Sequence, residues 1–333
     1  MPAIRQPRKW LTCVALTAVS TMCLMIGAST RAQGQSQKPI RVGVNMVLVD
    51  ATVRNKDWQV LSNLKTEDFI VREDGVDQKI EYLSRDQLPL SVVLVLDVSV
   101  SIEPFLEILN YAAATTLSTF KPEDEVALSP FAFDVDFRVP LTKDKTKIAR
   151  EIASLKAGEG TDIRDGLFEA AKYLMTAERK SRRVIILISD DVSTVHSNHE
   201  IGEIVGEILE ADASLYNLKI PGNNPEGVYS DLDVGEVVKR AGGEVVEVKA
   251  RDSLASTFEE LIQRVRTRYT VGYYRSGICA DDKEHKLDVS LAPSFGSKGD
   301  DYIVPSRSGY YCAPKGQVDG GSVETGSSRA DTH

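Results

Sequence analysis

The spacing of apolar side chains changes twice along the chain. Over residues 40–55 (IRVGVNMVLVDATVRN) apolar and polar positions alternate, the two-residue period of a half-exposed strand. FIVRED and the stretch after Asp74-Gly75 repeat this period on either side of a turn pair, which is a hairpin signal. From residue 91 the pattern becomes continuous. SVVLVLD (91–97) and RRVIILISD (182–190) are β-branched runs expected of strands buried on both faces. Between them the spacing predicts helices over 103–120 (Phe105, Leu106, Leu109, Ala113, Leu117, Phe120), 143–156 and 164–179. VALSPFAF (126–133) and VDFRVP (135–140) read as two short strands joined by a tight turn near Asp134. A helix over 199–211, the strand ASLYNLKI (213–220), a helix over 231–241 stopped by Gly242-Gly243, the strand EVVEVK (244–249) and a helix over 252–266 follow. The two-residue period then returns in RYTVGYYR (268–275), HKLDVSLA (285–292) and DYIVPSRSGYY (301–311).

Strands alternating with helices imply an α/β domain over 89–266: a doubly wound, mostly parallel sheet with one antiparallel edge strand from the 126–140 pair. The β-rich flanks, 38–88 and 267–314, are too short to bury separate cores. They are expected to pair with each other as one β-sandwich-like unit, with the α/β domain inserted between them. Residues 315–333, rich in Gly, Ser and charge, are expected to be disordered. In open parallel sheets ligands bind at the carboxyl ends of the strands. Chemistry is therefore expected just after Leu96, near residue 160, and just after Ser189.

Residues 1–32 are of another kind. Arg5, Arg8 and Lys9 precede an uncharged run of 19 residues from Trp10 to Ala28, and Thr30-Arg31-Ala32 offers small residues for cleavage. This is a secretory signal pattern. An uncleaved anchor is the alternative, since the run approaches the ~20 residues a membrane span needs. The chain is thus expected to be secreted, periplasmic or held in the cell envelope, touching a membrane only if the segment is retained. Removal of Arg5, Arg8, Lys9 and Arg31 takes the net charge from −9 to −13 and leaves Cys279 and Cys312. In an exported protein these two most simply form a disulfide, with two free thiols as the alternative. Its loop would contribute roughly 3–4 kcal/mol on the chain-entropy estimate. An acidic chain is poorly suited to nucleic acid, the absence of GxxxxGK[ST] and GxGxxG removes the ordinary nucleotide cradles, and four Cys and four His are too scattered for zinc modules.

All three predicted strand ends carry oxygen donors. Asp97-Val98-Ser99-Val100-Ser101 places three at i, i+2 and i+4; Thr161-Asp162 follows Gly-Glu-Gly; and Ser189-Asp190-Asp191 ends the third strand. Hydroxyls and carboxylates suit Mg²⁺, Mn²⁺ or Ca²⁺ rather than zinc. The first group alone reads equally as a helix N-cap. Asp162, Asp165 and Asp191 read more simply as solvated loop charges, and His196 and His199 as residues of a polar stretch. Tyr269, Tyr273 and Tyr274 read as strand residues with one wet face.

The set DxSxS, Thr and Asp resembles the metal-ion-dependent adhesion site of the von Willebrand factor A (VWA) family, in particular VWA-related proteins of the Acidobacteria type. Asp97, Ser99 and Ser101 match the first element, Thr161 in GEGTDIRDGL the second, and Asp190 in IILISDD the third. The flanks VLVDATVRNKDWQVLSNLKTEDFIVREDGVDQKI, TRYTVGYYR and SRSGYY are similar to those of exported members, so the resemblance spans most of residues 40–312. It implies a Rossmann-like VWA fold and a divalent cation, Mg²⁺ above all, held through the hydroxyls of Ser99, Ser101 and Thr161, with Asp97 and Asp190 acting mostly through water. It further implies an open coordination position for an Asp or Glu carboxylate of a protein partner. Two departures stand out: Val100 and Asp191 replace glycines common in the family. The chain lacks GxSxG and suggests no Cys–His pair, and a phosphotransfer site would want a second carboxylate where Ser99 stands. A non-enzymatic binding or adhesion protein is therefore expected. The rivals are an envelope-assembly module with a vestigial or purely stabilising metal site and, last, a metal-dependent hydrolase.

Overall fold

The computed structural model describes residues 45–57, 59–85, 88–177, 180–222, 233–249, 253–275, 283–295 and 302–312. The expected signal segment 1–32, Cys279 and the expected disordered tail 315–333 lie outside the described residues. The N-terminal flank supplies β1 (Asn45–Ala51), β2 (Arg54–Asn55), β3 (Phe69–Glu73), β4 (Val76–Gln78) and β5 (Ile80–Ser84). The central region runs β6 (Leu90–Asp97), α1 (Glu103–Thr116), β7 (Glu125–Phe131), β8 (Val139–Thr142), α2 (Lys145–Ala153), α3 (Ile163–Leu174), β9 (Arg182–Ser189), α4 (Ile201–Glu210), β10 (Ala213–Lys219), α5 (Val234–Arg240), β11 (Val245–Glu247) and α6 (Leu254–Arg266). The C-terminal flank adds β12 (Tyr269–Arg275), β13 (Glu284–Leu291), β14 (Tyr302–Ile303) and β15 (Gly309–Tyr311).

The central sheet has the order β11-β10-β9-β6-β7-β8 and is parallel except at its β8 edge. β6 and β9 lie at its middle and are buried at every position, which is why their sequences lack alternation. One apolar cluster joins α1, α2 and α6 to one face, and a second joins α3, α4 and α5 to the other. Three helices start on aspartate caps: Asp144, Asp162 and Asp233 accept the backbone N–H groups of Lys147, Asp165 and Glu236. The pair at 126–140 is antiparallel, but the tight turn expected near Asp134 is a seven-residue connection, 132–138. Pro130 O accepts Asp136 N–H (3.0 Å) and Asp134 O accepts Ala132 N–H (3.2 Å), so local bonds hold this stretch and β8 begins only at Val139.

The flanks interleave. β12 pairs antiparallel with β1 and β5, and β13 with β3 and β15, giving sheets β1-β12-β5 and β15-β13-β3-β4. Val47, Val49, Val71, Tyr269, Tyr273 and Val289 share one core between these sheets. Tyr269 and Tyr273 are thus buried, and only Tyr274 takes the wet face. Buried arginines tie this unit to the central domain. Arg182 Nε lies 2.7 Å from Asp50 Oδ2, and Arg268 donates to Ser214 Oγ (2.7 Å) and to the carbonyls of Gly242 and Asp50. Gly243 must be glycine: a Cβ there would lie 1.6 Å from Leu215 O.

Candidate metal-ion site at the carboxyl edge

The three strand-end loops are bonded to one another. Gly158 N–H donates to Val98 O (2.7 Å), and Gly158 bridges to Ser99, so the second loop runs beside the first. Thr161 O accepts Ser193 Oγ–H (2.9 Å), Thr194 N–H (3.0 Å) and Val195 N–H (3.2 Å), which binds the second loop to the segment after Asp190. Ser189 Oγ–H donates to Asp97 Oδ2 (2.7 Å), closing the triangle between third and first. The sheet register explains the convergence, because β6 lies between β7 and β9 and its end, Asp97, is level with Phe131 and Ser189.

Within this triangle the donors differ in what they have left to offer. Both oxygens of Asp97 are engaged, Oδ1 by Ser99 N–H (2.8 Å) and Oδ2 by Ser189. Ser99 Oγ and Ser101 Oγ lie 3.0 Å apart, and neither Ser99 nor Ile102, the cap of α1, makes a side-chain capping bond. The helix-cap reading of these serines is thus set aside. Asp190 Oδ1 accepts Val192 N–H (3.1 Å), while its Oδ2 is buried without a hydrogen-bond partner. A buried carboxylate oxygen with no donor is costly unless a cation or water completes it. Gly222 makes room for it, since a Cβ there would lie 2.0 Å from that oxygen. Burial pushes the Asp97 carboxyl up to about 6, against its hydrogen bonds to Ser99 and Ser189, and nearby Asp190 adds to the rise. Two neutral hydroxyls, a buried Thr161 and two crowded carboxylates suit a hard dication.

Asp191, a departure noted above, takes a left-handed backbone (φ 65°) and directs its carboxylate to Asn217 Nδ2 (2.7 Å) and Lys219 Nζ (3.4 Å). Its charge is thereby partnered on β10. Val100 and Phe133 stand exposed around the edge. Asp162 caps α3. His199 stacks on Phe168 (3.7 Å between ring centres), with Asp165 Oδ1 3.3 Å from its Nε2. A second polar group went unseen in the sequence. Glu73, Asp74 and His285 bring ligand-type atoms within 4.8 Å of one another in the flank unit. Arg275 already supplies a cation there, 2.8 Å from Glu73 Oε1 and 3.1 Å from the His285 ring. The only available sequence signal was the Glu-Asp-Gly hairpin, whose partner lies more than 200 residues away.

Residues 92–192 match the sequence model of the von Willebrand factor type A domain. No curated protein matches the chain. Among solved structures, the chain is similar to an aerotolerance-related membrane protein from Bacteroides fragilis (17% identity, TM-score 0.42, 53% of this chain and 99% of that one). It is also similar to the conserved hypothetical protein BatB from Bacteroides thetaiotaomicron (18%, TM-score 0.43, 53% and 99%). A von Willebrand factor type A protein from Catenulispora acidiphila aligns over 80% of this chain and 74% of its own (10%, TM-score 0.46). With the DxSxS strand end and the six-stranded sheet both inside or beside the matched region, the central α/β domain of this chain is a von Willebrand factor type A domain.

Proposed function

We propose that this is an exported, non-enzymatic binding or adhesion protein that captures an acidic protein partner through a divalent cation, Mg²⁺ or alternatively Mn²⁺ or Ca²⁺. The observation that carries this reading is the buried, partnerless Asp190 Oδ2 beside a loop triangle presenting the Ser99 and Ser101 hydroxyls. Ser99, Ser101 and Thr161 would hold the ion, with Asp97 and Asp190 as water-bridged supports. When bound, it would supply local positive charge for a partner's Asp or Glu on an otherwise acidic surface. The chain's own residues do the positioning. Asp97 fixes the first loop against the third, and Thr161 O anchors the second. A binding role is favoured over hydrolysis because the sequence lacks GxSxG and places Ser99 where a phosphotransfer site would want a second carboxylate.

Export follows from the reading of residues 1–32, and the Cys279–Cys312 disulfide goes with it; a non-reducing mass measurement should return a value two hydrogens below that of the dithiol. Isothermal titration with Mg²⁺ and Mn²⁺ tests the site. Single-site binding is expected for the wild type and at least about tenfold weaker binding for Asp190→Ala and Ser99→Ala. Equal binding by all three proteins would overturn the site. Partner capture from envelope extracts that survives EDTA, with only the melting temperature lowered, would reassign the ion to stability.

A further inference from the structure

The β13–β15 ladder is short. It runs from Glu284–Tyr311 to Lys286–Gly309, and one more bond, Leu287 N–H to Ser308 O (2.7 Å), extends it. Beyond that bond the two segments part. Residues 302–306 turn to the opposite side: Tyr302 and Ile303 pair with Asn55 and Arg54, Pro305 O accepts Thr52 N–H (3.1 Å), and Ser306 bridges to Ala51. β13 instead continues along β3. Between the diverging segments lies a cleft of about 770 Å³, with α5 as its further wall. That volume is in the range of ligand sites.

The facing edges are backbone, and their direction follows from strand parity, since successive residues of a strand turn their N–H and C=O to opposite edges. Lys286 O accepts Asp74 N–H (2.9 Å) and Ala292 N–H donates to Asp68 O (2.8 Å), so the even-numbered residues of this strand face β3. Leu287 N–H goes the other way, and Val289 therefore turns its N–H and C=O to the cleft. On the opposing wall residues 302–306 keep one continuous register against 51–55. The bond at Pro305 leaves Val304 with its N–H and C=O toward the cleft. Neither Val289 nor Val304 finds a backbone partner across it among the described residues. The wall also holds Glu244. Its Oε1 accepts Arg54 Nε–H (2.7 Å), while its buried Oε2 accepts no hydrogen bond, with Arg264 Nη1 3.9 Å away.

We propose that this cleft receives one extended peptide segment of a partner protein. The segment would pair with Val289 on one side and Val304 on the other, joining β13 to the β2–β14 ladder in a single sheet. Strand addition of this kind draws affinity from main-chain bonds and selectivity from alternate side chains. Of this chain's own segments outside the described residues, 313–333 is Gly- and Ser-rich, a composition poor in strand propensity and so a weak candidate for the occupant.

The probe is a fluorescein-labelled hexapeptide, TVKVTV, read by fluorescence anisotropy against the purified chain. Saturable binding is expected, weakened about tenfold by N-methylation of alternate amides. Val289→Pro removes the cleft-facing donor and also alters a core side chain; it should weaken binding about tenfold, and the N-methylated peptide, which leaves the core intact, reads the same main-chain bond should that variant fold poorly. The amides of Val289 and Val304 should gain hydrogen-exchange protection with the peptide. Absence of saturable binding at about 1 mM peptide, or equal binding of the N-methylated peptide, overturns the proposal. So does protection already present in the free chain and lost on deleting 33–44 or 313–333, which would identify an internal occupant.

Discussion

Asp97 combines full burial with a second carboxylate nearby, and this fixes the sign of a pH effect. Its carboxyl is raised from 3.8 to about 6 in the fold, so the folded state binds this proton more tightly than the unfolded chain. Without metal, its ionisation opposes folding above about pH 6, and the opposition fades as pH falls toward 4. Asp97→Asn should therefore be more stable than the wild type in EDTA at pH 7.5, by about 2 kcal/mol, with the gap closing near pH 4. Saturating Mg²⁺ should narrow or reverse that order at pH 7.5. Thermal melts across this pH range check both statements, and an Asp97→Asn protein less stable than wild type at pH 7.5 in EDTA would contradict them. The Asp190 neighbourhood yields a companion prediction. Gly222→Ala intrudes on Asp190 and should weaken Mg²⁺ binding about tenfold in calorimetry, with a smaller effect on melting.

At the level of elements, apolar spacing located the strands and helices of the central sheet because each buries a face long enough to impose its period. The strand-end donors were legible for a related reason. A buried run such as 91–97 must end at the sheet's edge, and its register with β9 brings Asp97 and Ser189 together. What could not be read was set by contacts distant in sequence. In the sequence Asp191 reads as a loop charge, yet Asn217 and Lys219 hold it; Arg275 reaches Glu73 and His285 across two strands. The connection at 132–138 escaped because local backbone bonds outcompeted strand pairing there. Gly242-Gly243 reads in sequence as a helix stop, and the structure adds a packing demand. Gly243→Ala would drive a methyl into Leu215 O, and we expect a loss of about 3 kcal/mol or more in urea unfolding. Retention of wild-type stability would mean that β10 and the helix stop can separate without cost.

Across the whole molecule, a few buried cations join the β unit to the central domain. Arg268 donates to Ser214 on β10, to Gly242 beyond α5 and to Asp50 on β1, so it touches both. Arg268→Met should cost about 3 kcal/mol and is expected to broaden or split the unfolding transition, since removing one member of a buried polar network strands the others. Differential scanning calorimetry distinguishes this from a uniform downward shift, which would assign Arg268 to packing alone. Among the described residues no helix is long and apolar enough to cross a membrane. The pairing of β1 with β12 has a consequence for biogenesis. Asn45 meets Arg275, so the earliest strand among the described residues to be synthesised waits for one of the last. Its inner row, Val47 and Val49, stays naked through the synthesis of more than 200 intervening residues, and closing so long a loop is slow. The nascent chain should therefore depend on a holding chaperone wherever it folds, and the domain in between, whose contacts are more local, should be the first to become protease-resistant.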